Sequence, residues 1–263
     1  MYRLALNKTQ FDVINWKKVG KGKLKKFDDM KNFEHVVQVP FYIIEHNNFH
    51  LKGKWTKEFF KNENPIILEL GCGKGEYTVE LAALNPNINY IGVDIKGARL
   101  WKGAKQAKER ELKNVGFLRT NIELIAQFFG ENEVDEIWLT FPDPQMKNAR
   151  KRLTSTTFLN KYRNFLKPDG TIHLKCDSNF QYKYTRTMVE VNQFEVLAET
   201  DNLYEWEHLT DILKIKTYYE KQWLDRGITS KYLAFKPHDG EYIEPSTEIK
   251  FDEYRSFGRS ARN

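Results

Sequence analysis

The sequence predicts an α/β fold: a mostly parallel seven-stranded sheet with helices on both faces, preceded by an N-terminal arm. Three observations carry this expectation. From residue 65 onward, short apolar runs alternate with segments of helical apolar spacing. The first run, Ile66–Leu70, ends in glycines, as a buried strand feeding a helix does. The chain of 263 residues is long enough to bury one sizeable core.

Taken in order, Ile66–Leu70 is the first strand. Glu76–Leu84 follows as a helix with Tyr77, Val79, Leu81 and Leu84 among its apolar positions. Asn89–Val93 is the second strand, followed by a helix over about 98–111. Val115–Leu118 is the third strand, followed by a helix over Ile122–Phe129. Asp135–Leu139 is the fourth strand, and a helix covers about 154–165. Lys167-Pro-Asp-Gly170 reads as a turn, because Pro presets one dihedral and Gly closes the bend. Thr171–Lys175 is the fifth strand, with a helix over 179–192. Phe194–Ala198 and Lys231–Phe235 are the last two strands, with a helix over 214–226 between them. Such alternation gives parallel strands covered on both faces.

Residues 1–50 differ. Lys17, Lys18, Lys21, Lys23, Lys25, Lys26 and Lys31 crowd a stretch with little apolar periodicity. It reads as an extended basic arm with weak local structure, docked by Phe41–Ile44, and a helix is expected around 53–61. The body is assigned to 51–240 and a C-terminal tail to 241–263.

Composition excludes several classes. A mean hydropathy of −0.66 and the lack of a long uncharged apolar run exclude a membrane-spanning helix. No secretory signal is visible at the N-terminus. Cys72 and Cys176 stand far apart without metal-ligand spacing, which excludes a disulfide framework and a zinc ribbon. No metal is expected, and a reducing, cytoplasmic setting is. A net charge of +6 hints at an acidic partner and identifies none.

The most specific local signal is Glu69-Leu-Gly-Cys-Gly-Lys-Gly75, which places Gly71, Gly73 and Gly75 between the first strand and its helix. Glycine there permits a sharp turn and close approach of backbone to a ligand. A dinucleotide loop wants a small residue at position 76, where this chain has Glu76, and that carboxylate would oppose a pyrophosphate. The loop instead resembles that of class I S-adenosylmethionine methyltransferases, whose ligand carries an ammonium and a sulfonium. Asp94 ends the second strand, where a carboxylate accepts from ribose hydroxyls or else caps the next helix. Asn121 ends the third, suited to an adenine contact or to an N-cap.

The fourth strand runs into Phe141-Pro-Asp-Pro144, which carries Asp143 to the sheet's carboxyl edge on a backbone stiffened by two prolines. Lys147, Arg150, Lys151 and Arg152 follow directly, a footprint suited to phosphates. Asp177 follows the fifth strand beside a Ser178-x-x-Gln181 capping box. Thr217-Tyr-Tyr-Glu220 is itself a Thr-x-x-Glu capping pattern. His173 and His208 form no cluster and read as structural.

Together the glycine loop, Phe141-Pro-Asp-Pro-Gln-Met-Lys147 with its basic tail, and Thr217–Glu220 resemble the bacterial tRNA (guanine-N7-)-methyltransferase family, over roughly residues 60–235. The resemblance implies a Rossmann-like class I methyltransferase fold, S-adenosyl-L-methionine as cofactor and tRNA as substrate. By position it implies Glu69, Gly71, Gly73, Gly75, Asp94, Asn121 and Asp143 around the cofactor, with Asp143 catalytic. It further implies Lys147, Asp177, Thr217, Tyr218, Tyr219 and Glu220 on the substrate side. Arg150, Lys151 and Arg152 are read as RNA phosphate contacts. The chain departs from the family pattern at Gln145, where Trp is usual, at Asn121, where a carboxylate is common, and at Asp94, where Glu is frequent. Two other readings stay open: another class I N-methyltransferase, and an RNA-binding relative without catalysis. A monomer and a homodimer are both compatible with the sequence.

Overall fold

The computed structural model describes residues 21–39, 42, 44 and 49–256. Lys17, Lys18 and most of the expected docking segment around Phe41 lie outside them. Side chains alternate along each strand, so a strand buried on both faces must be apolar throughout. Ile66–Leu70 (β2) meets this requirement at every position except Glu69, and every residue of it is buried. Ile66, Leu68 and Leu70 join a core layer with Phe128, Phe158 and Met188, while Ile67 faces the opposite layer with Tyr77 and Leu100.

In chain order the described elements begin with helix α1 (Lys21–Lys31) and a two-residue strand β1 (Val36–Val37). After β2 come α2 (Glu76–Leu84), β3 (Asn89–Val93), α3 (Gly97–Glu109), β4 (Val115–Leu118) and β5 (Val134–Thr140). Then follow α4 (Thr156–Tyr162), β6 (Leu166–Cys176), α5 (Asn179–Val191) and β7 (Glu195–Thr200). Helices α6 (Asp211–Lys214) and α7 (Tyr218–Leu224), strand β8 (Lys231–Lys236) and a single turn α8 (Glu253–Ser256) complete the order. The sheet runs β1-β4-β3-β2-β5-β6-β8-β7, with β8 antiparallel to both of its neighbours and the other pairs parallel. The seven expected strands are present, and β1 adds an eighth beside β4.

Four local expectations are corrected. Within the basic arm, residues 21–31 are helical, not extended. Met30 is fully buried and Phe27 partly so, and a Cβ at Gly97 would lie 2.6 Å from the Phe27 ring. The helix is therefore stabilised by packing on α3, with Asp29 accepting from the Trp101 indole at 3.0 Å. Residues Ile122–Gln127 form a 3₁₀ helix where an α-helix was expected. The Lys167–Gly170 turn is a bulge inside β6: Val134 pairs with Leu166 and Glu136 with Thr171, so four residues stand against Asp135. The expected helix over 214–226 is split, because Thr217 caps a fresh start at α7. Around 53–61 the helix is a π-helical turn, Trp55–Phe60, stopped by Lys61 in the left-handed region. His173 is structural as expected, stacked on Trp138 at 4.1 Å with Nε2 3.1 Å from Glu136.

Candidate active site

The chain leaves β2 to build β3 and β4 on one side and returns to build β5 and β6 on the other. Open α/β sheets bind ligands at the carboxyl ends of strands flanking such a reversal. Here those ends are the glycine loop after β2 and the Phe141–Gln145 loop after β5.

The glycine loop is clamped by backbone: Gly71 and Cys72 both donate to Val93 O, at 2.8 and 3.0 Å. Its glycines divide their roles. Gly73, at φ 58°, would place a Cβ in open space with only Gly71 O at 3.9 Å, and Gly71 is similarly open. Gly75, at φ 69°, would drive a Cβ to 2.6 Å from the Phe117 ring and 3.1 Å from Gly103. Gly71 and Gly73 thus leave room for a ligand, whereas Gly75 is a packing glycine against α3. Asp94, at the tip of β3, accepts from Gly73 N at 3.0 Å and Lys96 N at 2.6 Å. It ties the two strand tips together rather than capping α3 directly, since the N-cap is Lys96. Asn121 is exposed and its side chain makes no cap bond to the 3₁₀ helix behind it.

Glu69 is 3% exposed. Its carboxylate is buried, accepting from Thr78 N at 2.8 Å and from the Thr78 and Thr140 hydroxyls. It therefore joins β2, the first turn of α2 and β5. Burial pushes its pKa up from 4.5 to about 7 against those hydrogen bonds. A raised carboxyl pKa means the folded state holds the proton more tightly than the unfolded chain. Its contribution is complete below about pH 4.5 and is lost as pH rises through about 7. Relative to Glu69→Gln, the wild type should lose on the order of 3 kcal/mol of stability across that window. Urea titrations of both proteins at pH 4.5 and 8 test this, and parallel pH profiles would refute it.

Asp143 is exposed, and its Oδ1 accepts from Gln145 N at 3.2 Å. Phe141 and Gln145 on either side adopt φ of 49° and 47°, a left-handed conformation that costs a side-chain-bearing residue roughly 1–2 kcal/mol. Pro142 and Pro144 are buried, and Phe141 N donates to Lys175 O at 2.7 Å. The carboxylate is thus held forward on a strained, anchored loop. Of the basic cluster, Lys147, Arg150 and Lys151 are exposed. Arg152 folds back instead. It donates to Gln145 O and Met146 O at 3.3 and 2.9 Å and stacks over Phe180 and Tyr184 at 4.8 and 4.3 Å. Its geometry makes it a brace for the Asp143 loop.

The remaining expected substrate residues divide sharply. Asp177 is fully buried, and Tyr254 donates to its Oδ2 at 2.8 Å. The Ser178 hydroxyl caps Gln181 N at 2.9 Å as expected, but the Gln181 side chain turns to Thr154 and Thr185. Thr217 and Glu220 close a complete capping box at α7. Glu220 is buried and paired with Lys175 at 3.0 Å, and accepts from Tyr204 and Ser230 hydroxyls at 2.5 and 3.0 Å. Tyr218 and Tyr219 are exposed, with Lys74 of the glycine loop 3.3 Å above the Tyr218 ring and Glu76 accepting from Tyr218 N at 2.8 Å. The box therefore anchors two tyrosines against the glycine loop. Sequence reasoning missed Thr78, Thr140 and Lys175. Lys175 stands at a polar position of the alternating strand Thr171-Ile-His-Leu-Lys175, so none of the three carried a visible signal.

Comparison with known proteins places the chain in a family. A family model described as "Putative methyltransferase" matches residues 63–233. A protein of Bacteroides thetaiotaomicron named tRNA (guanine-N(7)-)-methyltransferase is 56% identical over 246 residues, which is 93% of this chain and 98% of the relative. A protein of the same name from Porphyromonas gingivalis is 52% identical over 240 residues, 89% of this chain and 98% of that one. Among solved structures, an antibiotic-related methyltransferase aligns with TM-score 0.52 at 16% identity, over 78% of this chain and 98% of that chain. The 16S rRNA methyltransferase KamB aligns with TM-score 0.52 at 11% identity, over 84% and 95%. These last two likenesses concern the fold alone. With more than half its length matched by the family model and relatives above 50% identity along nearly all of it, the chain belongs to the tRNA (guanine-N7-)-methyltransferase family.

Proposed function

We propose that this protein transfers a methyl group from S-adenosyl-L-methionine to N7 of a guanine in the variable loop of tRNA, in the cytoplasm. The observation that carries the reading is the meeting of the open glycine loop and the forward-held Asp143 at the reversal of the sheet, beside three exposed cations. The names of the relatives support the substrate. The residues present fit the cofactor. Gly71 and Gly73 leave open space for it, and Asp94 offers acceptor lone pairs to ribose hydroxyls from a position fixed by Gly73 N. Asn121 presents an uncommitted amide for the adenine edge. When bound, S-adenosyl-L-methionine supplies a methyl group activated by its sulfonium.

Guanine N7 has a lone pair and no proton at neutral pH, so the chain needs no strong base. Its task is alignment and support of the positive purine that forms. Asp143 accepts from the N–H groups on the guanine edge and faces the developing positive charge. Gln145 N and the two prolines hold that carboxylate in place, and Arg152 holds the loop. Lys147, Arg150 and Lys151 contact RNA phosphates. Glu69, Asp177 and Glu220 act behind this surface as supports.

Incubation with unmodified tRNA and S-adenosyl-L-methionine, followed by nucleoside mass spectrometry, is expected to yield 7-methylguanosine. Methyladenosine, or no methylated nucleoside, would overturn the reading.

A further inference from the structure

Helix α3 carries a charge pattern that no motif of the crevice uses. Residues 96–109 hold five cations, Lys96, Arg99, Lys102, Lys105 and Lys108, against the single acid Glu109. The last four recur at every third position, and such a row slants across a helix surface as a ridge. It advances about 14 Å along the axis. Lys96, Lys102, Lys105 and Lys108 are exposed and Arg99 is half-buried, whereas Leu100, Gly103, Ala104 and Ala107 are buried. The ridge thus occupies the side of α3 that the core leaves open. A helix gains from acids in its first turn, yet α3 has none there and begins with Lys96 and Arg99. The row does not serve the stability of its own helix.

Both ends of the ridge are placed. Its start adjoins the glycine loop, for a Cβ at Gly103 would lie 2.7 Å from Lys74 O and 2.9 Å from Gly75 Cα. The Arg99 guanidinium stands 5.8 Å from the Tyr219 ring. Further along, the ridge meets α1. The Trp101 ring gathers a lysine from each helix, with Nζ of Lys26 and of Lys105 at 4.9 and 5.5 Å from its centre. Lys25 is exposed beside Lys26. The nearby acids are engaged elsewhere: Glu109 with Lys105 at 3.3 Å, Asp28 with Lys31 at 3.0 Å, and Asp29 with the Trp101 indole at 3.0 Å. Among the described residues, no acid pairs with Lys25, Lys26, Lys96, Arg99, Lys102 or Lys108. Gathering like charges from two helices costs energy that a bound polyanion recovers.

We propose that the α3 ridge, continued by Lys25 and Lys26 of α1, is a second tRNA contact that binds backbone phosphates remote from the methylated guanine. Helix α3 joins β3 to β4 on one side of the crevice, while Lys147, Arg150 and Lys151 follow β5 on the other. Phosphates gripped on both sides hold an RNA across the crevice, and such contacts fix register without reading sequence. An acidic protein is the rival occupant. Continuity of the ridge with the glycine loop, through Arg99, favours the RNA. The proposal rests on the reading of the protein as a tRNA methyltransferase and extends its substrate surface to elements outside every motif of that reading.

The test combines Lys102→Gln, Lys105→Gln and Lys108→Gln in the full chain. These side chains are exposed and glutamine keeps the helix propensity of lysine, so Tm should move by less than about 2 °C. Binding of unmodified tRNA, followed by fluorescence anisotropy across a KCl series, should show a slope of log K against log salt shallower by about 2. KM for tRNA should rise about tenfold, with kcat within about twofold of wild type. The matching triple arginine variant should bind as the wild type does, and its failure to do so overturns the electrostatic account. A short hairpin presenting only the target guanine does not reach the ridge and should bind wild type and glutamine variant alike. An unchanged slope for full tRNA overturns the proposal and leaves the ridge to a partner other than RNA. Equal losses for hairpin and full tRNA overturn it as well, because they mark a general effect of net charge. This binding signal needs no methylation, so an absence of 7-methylguanosine from the wild type would count against the proposed function alone.

Discussion

Asp143→Asn is expected to lower kcat by about 100-fold or more, with cofactor Kd altered by less than about threefold. The amide has the size and shape of the carboxylate and retains one oxygen for Gln145 N. What it loses is the negative charge facing a purine that becomes positive, together with one acceptor for the guanine edge. Asp143 is exposed and touches no part of the glycine loop through a hydrogen bond, so cofactor binding should survive. Single-turnover methylation with saturating tRNA, alongside equilibrium titration of the cofactor, separates the two effects. A fully active Asn variant would remove Asp143 from the chemistry. A variant that merely loses cofactor would assign it to binding.

Lys175→Met should give the largest loss of stability. The Lys175–Glu220 pair has both side chains at 0% exposure, so neither charge finds water when its partner is removed. Burial alone pulls the Lys175 pKa down, and Glu220 holds the charge in place against it. Breaking such a pair on one side costs about 3–5 kcal/mol, because the other charge stays buried without compensation. For a domain of this size that corresponds to a Tm lower by roughly 10 °C. Lys175 also donates to Leu213 O and Ile215 O, at 2.9 and 2.7 Å, so its loss should loosen α6 and the start of α7. The tyrosines of Thr217–Glu220 would then lose their hold on Lys74. Lys175→Met with Glu220→Leu removes both charges and should recover part of the lost stability, since the Tyr204 and Ser230 hydroxyls and the α7 cap then lose their acceptor. Calorimetric melts of the three proteins test this, and an unchanged Tm for Lys175→Met would refute the electrostatic account.

How much was legible in the sequence varies with the range of the interactions involved. The strand–helix alternation was visible because each strand must be apolar along a short run and each glycine or capping residue acts on its immediate neighbours. Helix α1 was not visible. Its lysines dominate the local pattern, while its helicity rests on Phe27 and Met30 meeting a glycine of α3 far along the chain. The break after Lys214 was half visible: Thr217-x-x-Glu220 was recognised as a capping pattern but read as a substrate motif. Both descriptions name the same residues, and only burial distinguishes a cap from a contact.

The same distinction governs the site. From local pattern and family resemblance, the sequence by itself determined the doubly wound fold, the ligand edge, and the position of Asp143 on a stiffened loop. These follow from dihedral preferences and periodicities that act within a few residues. Only the tertiary structure decided which way the carboxylates face. Glu69 turns inward to Thr78 and Thr140, Asp177 is covered by Tyr254, and Glu220 is held by Lys175, while Asp94 and Asp143 remain at the crevice. An acidic residue in a one-dimensional pattern looks the same whether water, ligand or a buried partner balances its charge. Thr78 lies 9 residues from Glu69, Lys175 45 from Glu220 and Tyr254 77 from Asp177, and only folding brings them together.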